Sequence, residues 1–116
     1  MDLLERKEIN DKSEQSIDNK KIFSANDFRH RGNNYFALNN FTAAINEYSN
    51  GIKLEPHNIT LLSNRAEAYL RLNQFKKALN DVEIVLNYEC NHLKATFRKG
   101  KALCGLKRYQ ESIIAL

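Results

Sequence analysis

The sequence has no tryptophan, one proline and four glycines in 116 residues. Sheet-rich folds need many tight turns, and turns draw heavily on glycine and proline, so this scarcity points away from a sandwich or barrel and toward helices. No apolar run approaches the ~20 residues that span a bilayer. Asp2, Glu5, Arg6, Lys7 and Glu8 stand where a secretory signal would need an apolar stretch. Cysteine is limited to Cys90 and Cys104. Neither lies at metal spacing from the other or from His30, His57 or His92, and two thiols make no disulfide scaffold, so a reducing compartment, the cytoplasm by default, is expected. A glycine-rich phosphate loop, a carboxylate dyad and a nucleophile–base pair are all missing. The expectation is a single domain that is not an enzyme and uses no metal or cofactor.

What the chain does have is unevenly placed charge. The formal net charge is +4. The first twenty residues carry four basic and six acidic side chains. From His92 onward, Lys94, Arg98, Lys99, Lys101, Lys107 and Arg108 face a single acid, Glu111. A positive C-terminal part points to an acidic partner.

The stronger signal is an internal period of 34 residues. Leu38, Leu72 and Leu106 fall in one column; Phe41, Phe75 and Tyr109 in another; Tyr35, Tyr69 and Leu103 in a third. Gly32, Ala66 and Gly100 form a column of small residues, as do Ala44, Ala78 and Ser112, while Ile45, Leu79 and Ile113 are all aliphatic. Within each copy, apolar residues recur at helical spacing, which predicts helices near 25–38, 41–54, 59–72, 75–88, 93–106 and 109–116. Asn39 and Asn40, Asn73, and Lys107 with Arg108 read as the turns between paired helices. Ser24, with Asp27 three residues on, reads as a capping box, and Asn58 as a cap for the helix after Pro56. Gly51, inside a helix, should cost ~1 kcal/mol relative to alanine. Cys104, on a helix among apolar neighbours, reads as a packing residue.

These columns resemble the tetratricopeptide repeat over about residues 25–116, with repeats near 25–58, 59–92 and 93–116 after a charged leader at 1–24. Cys90 stands where the family favours proline, and Val82 where it favours an aromatic. The resemblance implies an all-α, right-handed solenoid of two full helical hairpins and an incomplete third. In such a stack, the first helix of each pair lines the concave side, and each hairpin needs its neighbours to bury its apolar face.

The spacing also gathers polar side chains on that inner wall. Arg29 and Asn33 are four apart on one helix, Lys94 and Arg98 four apart on another, and Asn64 follows Asn33 by nearly one repeat. Three cations and two amides on one wall suit a carboxylate. The strings Arg31-Gly32-Asn33, Ser63-Asn64-Arg65 and Lys94 through Arg98 resemble the two-carboxylate clamp of co-chaperone members of this family. That resemblance implies that Arg29, Asn33, Asn64, Lys94 and Arg98 grip the C-terminal Glu-Glu-Val-Asp tail of heat-shock chaperones, in a co-chaperone or adaptor. Arg29 departs from the family's usual lysine, and its planar fork has a different reach. A second reading is a general scaffold for an internal acidic or helical segment of another protein. A third places the repeats in a longer protein with a separate enzyme domain. Nucleic-acid binding is disfavoured, because the aromatics at 41, 75 and 109 form a core stripe rather than a stacking platform. Ile113, Ile114 and Leu116 have no following helix to cover them, which leaves self-association through that end as a further expectation.

Overall fold

The computed structural model describes residues 22–115, with side chains through Arg108. All regular structure among them is helical: α1 (Ala25–Ala37), α2 (Phe41–Leu54), α3 (Ile59–Arg71), α4 (Phe75–Tyr88) and α5 (Leu93–Ala115). Each helix packs on the next, and α3 also reaches α5, the contact pattern of a solenoid built from hairpins. The expected leader at 1–24 lies outside the described residues except for Ile22, Phe23 and Ser24.

The helix ends follow from local chemistry. Ser24 Oγ accepts from the Asp27 amide at 3.1 Å while Asp27 Oδ2 accepts from the Ser24 amide at 2.9 Å, the reciprocal box expected from the sequence. Asn40 and Asn58 accept from the amides of Ala43 and Leu61 to start α2 and α3. At α5 this role falls to His92, whose Nδ1 accepts from the Ala95 amide at 3.0 Å. The turns after α1 and α3 pass through Asn39 and Asn73 with φ of 61° and 59°. Asparagine tolerates this left-handed conformation better than most residues.

Paired helices meet by size complementarity sixteen residues apart. A Cβ at Gly32 would run into the Tyr48 ring. One repeat later the same two positions hold Ala66 and Val82, both fully buried. A larger residue on α3 is thus matched by a smaller one on α4, and Val82 is no weak point. Gly51 also lies at a close approach between helices. A Cβ there would lie 2.8 Å from Leu61 Cδ1 and 3.3 Å from Phe28 Cβ, so alanine would gain helix propensity only if the buried Leu61 side chain gave way. One residue before each small position stands an arginine that reaches its partner helix. Arg31 meets Glu47 at 3.1 Å on the surface. Arg65 meets Asp81 through two 2.8 Å hydrogen bonds and also donates to Ser49 Oγ. Burial pushes the Asp81 carboxyl up against the pull of that fork, and the Asp81 carboxylate makes Arg65 harder to deprotonate.

Two expectations need correction. Lys107 and Arg108 make no turn: α5 runs unbroken from Leu93 to Ala115. The position of Asn39 and Asn73 is taken by Lys107, for which a left-handed conformation costs roughly 1–2 kcal/mol. The position of the acids Glu47 and Asp81 is taken by Ala115, so Lys99 has no carboxylate there to hold a sixth helix in place. Accordingly, a Cβ at Gly100 would meet nothing within 4 Å, and Leu103 is 46% exposed where Tyr35 and Tyr69 are partly buried. Cys104 is exposed rather than packed: it borders Leu70, Asn73 and Phe75 at the rim of a cavity instead of being covered by them.

Removing Asp81 should leave Arg65 without its anion in a largely buried setting. Asp81→Ala is therefore expected to lower stability by about 3 kcal/mol in urea unfolding. Glu47→Ala, on the exposed pair of the same register, should shift the midpoint far less. Equal effects would show that burial does not set the worth of these pairs.

Candidate peptide-binding groove

The helices α1, α3 and α5 form one wall, and their inward side chains divide it into two adjoining compartments. Asn33, Phe36, Ala37, Tyr48, Asn64, Glu67 and Arg98 line the first. Phe36, Glu67, Arg71, Leu93, Lys94, Phe97, Arg98 and Lys101 line the second, so Phe36, Glu67 and Arg98 form the divide.

The first compartment is organised around Asn33. Its Oδ1 accepts from the Tyr48 hydroxyl at 2.6 Å and from Asn64 Nδ2 at 3.4 Å. With the oxygen end occupied, its Nδ2 is the end left to meet an acceptor. The amides are thus joined across one repeat and presented as donors. Burial raises the Tyr48 phenol by more than the nearby positive charge of Arg29 lowers it, so the hydroxyl stays protonated as a donor at neutral pH.

Arg98 projects from α5 toward α3. Its Nε donates to Glu67 Oε1 at 2.8 Å and its Nη1 to Ser63 Oγ. Glu67 Oε2 also accepts from Arg71 Nε at 3.0 Å. Burial acts to raise the Glu67 carboxyl, but hydrogen bonds from Arg98 and Arg71 outweigh it and hold the group below its ordinary value. Arg71 in turn lies 5.0 Å from the Phe36 ring centroid and 5.5 Å from that of Phe41. The second compartment has an apolar floor at Leu93 and Phe97, 84% and 68% exposed. Above it stand Lys94 and Lys101, the latter 5.5 Å from the Phe97 ring. Neither lysine has an ion pair among the described residues.

Four of the five residues singled out from the sequence, Asn33, Asn64, Lys94 and Arg98, therefore line the two compartments. Arg29 does not. Its guanidinium is held by Asn26 Oδ1 at 2.6 and 3.1 Å, one turn back on the same helix, with His30 Nε2 at 3.5 Å. The sequence reading missed Glu67, although stepping the 34-residue period from Asn33 leads to it and then to Lys101. It also missed the Tyr48 hydroxyl, since periodicity reports only that position 48 faces the core. Among the described residues no cluster of three His, Cys, Asp or Glu side chains could hold a metal ion. Nor is any helix among them long and apolar enough to cross a membrane.

Residues 32–73 match a family model described as TPR repeat, and residues 63–116 one described as Tetratricopeptide repeat. RNA polymerase II-associated protein 3 of Xenopus laevis is 33% identical over 103 residues, which cover 89% of this chain and 15% of that protein. Hsp70-Hsp90 organizing protein 3 of Arabidopsis thaliana is 28% identical over 112 residues, covering 92% of this chain and 20% of that one. The chain thus spans only a small part of these relatives' length. Among solved structures, the first TPR of Spaghetti (RPAP3) bound to the HSP90 peptide SRMEEVD aligns with TM-score 0.70 at 33% identity, over 75% of this chain and 69% of that one. The second TPR domain of human RPAP3 in complex with the HSP70 peptide SGPTIEEVD aligns with TM-score 0.69 at 31% identity, over 75% and 72%.

The lowered Glu67 carboxyl has a consequence for pH. Its folded value lies below the 4.5 of the free side chain. Its pairing therefore stabilises the fold in full above that range and is lost as pH falls below it. Urea midpoints followed from pH 7 to pH 3 should drop less for Glu67→Gln than for the parent. Parallel curves would refute the linkage.

Proposed function

The chain belongs to the tetratricopeptide repeat family, and we propose that its groove binds the C-terminal tail of heat-shock chaperones as part of a co-chaperone or adaptor. The observation that carries this reading is the meeting of Asn33, Asn64 and Arg98 in one compartment, with Lys94 beside it. A terminal aspartate offers two carboxylates a few ångströms apart. The Nδ2 groups of Asn33 and Asn64 suit one of them, and the unpaired ammonium of Lys94 suits the other. Arg29 joins by leaving Asn26, an exposed contact within its own helix. Arg98 offers the donors it does not spend on Glu67 and Ser63.

The energetics are adequate. Charge-assisted hydrogen bonds contribute roughly 1.5–3 kcal/mol each, and a few of them offset the ordering of a short peptide to give micromolar binding, about −8 kcal/mol. Upstream of the terminal residue, Phe36, Leu93 and Phe97 present apolar surface and Lys101 a further cation. That combination fits a tail in which acidic and aliphatic residues alternate. Two exposed, unpaired cysteines suit a reducing compartment.

Titration with a Glu-Glu-Val-Asp peptide, free and C-terminally amidated, tests the proposal. Amidation removes one carboxylate and should weaken binding about tenfold or more, the loss of one charge-assisted contact. Lys94→Ala should cost a similar factor with helical content unchanged. Equal affinity for the two peptides would instead favour a scaffold that reads internal acidic segments.

A further inference from the structure

Among the described residues, Glu67 is the one acidic residue lining either compartment, and it lines both. Its carboxylate is shared by two arginines, Arg98 at 2.8 Å and Arg71 at 3.0 Å. Its side chain is only 18% exposed, so the pairing is shielded and survives at moderate salt. Stepping by the period, Asn33, Glu67 and Lys101 occupy the same place in successive repeats. The wall therefore runs from amides, through a carboxylate bonded to two arginines, to the ammonium groups of Lys94 and Lys101, which make no ion pair among the described residues. Amide donors and charged donors are spatially separated, and Glu67 sits between them.

We propose that Glu67 is a specificity-determining residue, which makes the groove prefer a chain-terminal carboxylate over acidic side chains within a chain. The inference rests on the reading of the groove as a tail-binding site. An internal acidic segment gains chiefly from Coulomb attraction, which any exposed cation supplies. Glu67 withdraws two cations from that pool, and it repels a carboxylate side chain approaching Arg98 or Arg71. A terminal carboxylate loses less, because it takes directional hydrogen bonds from Asn33 and Asn64. Those amides are oriented by Tyr48 and by each other, not by Glu67. Glu67 thus weakens the general attraction more than the specific grip, and selectivity is the difference between them.

The test is the ratio of dissociation constants for the amidated and free Glu-Glu-Val-Asp peptides, measured for the whole chain and for two variants. Glu67→Gln keeps the shape of the side chain and its acceptor oxygen but frees Arg98 and Arg71. It should tighten the amidated peptide more than the free one, lower the ratio by about threefold or more, and steepen the loss of amidated-peptide binding with salt. Glu67→Asp keeps the charge and should keep the parent ratio, which separates charge from loosened packing. A Glu67→Gln ratio equal to the parent's, or a Glu67→Asp ratio that falls as far as that of Glu67→Gln, would overturn the assignment while leaving tail binding intact. A parent chain that does not distinguish the two peptides would overturn both.

Discussion

The ring of Tyr48 fills the space left by Gly32, and its hydroxyl holds the side chain of Asn33. One residue thus belongs to the core and to the groove at once. The ring sets how closely α2 approaches α1, while the hydroxyl, at the far end of the same rigid group, fixes which end of the Asn33 amide faces outward. Because aromatic rings have few rotamers, packing in the first hairpin dictates donor geometry on its concave side. From there the order passes to Asn64 on the next hairpin through a single hydrogen bond. The spacing of the two amides is a consequence of hairpin stacking, and the shape of each hairpin that stacks is set by small residues opposite large ones.

That dependence explains why so much was legible in the sequence. Size columns such as Gly32, Ala66 and Gly100 are the imprint of helix approach. Amphipathic spacing located four helices to within about a residue of where they lie. Once the stack is known, Asn33 and Asn64 must be near neighbours, since they are almost one repeat apart. What stayed hidden was set by side-chain competition rather than by backbone register. Arg29 is on the expected helix face, yet Asn26 one turn away captures its fork. Arg98 is where the period puts it, but the period says nothing of Glu67 taking half its hydrogen bonds. The exposure of Cys104 is equally hidden, because apolar neighbours in sequence do not say what covers a side chain in the fold.

The third copy shows what the columns leave undetermined. It keeps the small, aromatic and aliphatic positions, and on those grounds should turn at Lys107. It lacks an asparagine for the left-handed turn and an acid opposite Lys99, two features the first two hairpins share. Continuing a helix adds one hydrogen bond per residue without strain, whereas turning requires a disfavoured conformation repaid only by packing. Conserving apolar pattern without turn and ion-pair chemistry leaves α5 straight.

Electrostatics divides the molecule into two kinds of pair. Arg31–Glu47 and Arg65–Asp81 join the helices within a hairpin, and neither Glu47 nor Asp81 lines the groove. Arg98–Glu67–Arg71 instead runs across hairpins, from α5 through α3 to the rings of Phe36 and Phe41. This second network stiffens the wall where the compartments meet, so that Arg98 is oriented by folding rather than by a ligand, and less entropy remains to be lost on association. The same matching discharges the cations it orients. A wall stiffened by its own carboxylate gives up long-range attraction for direction, leaving the amides, the lysines and the remaining donors of Arg98 as the groups that face whatever enters.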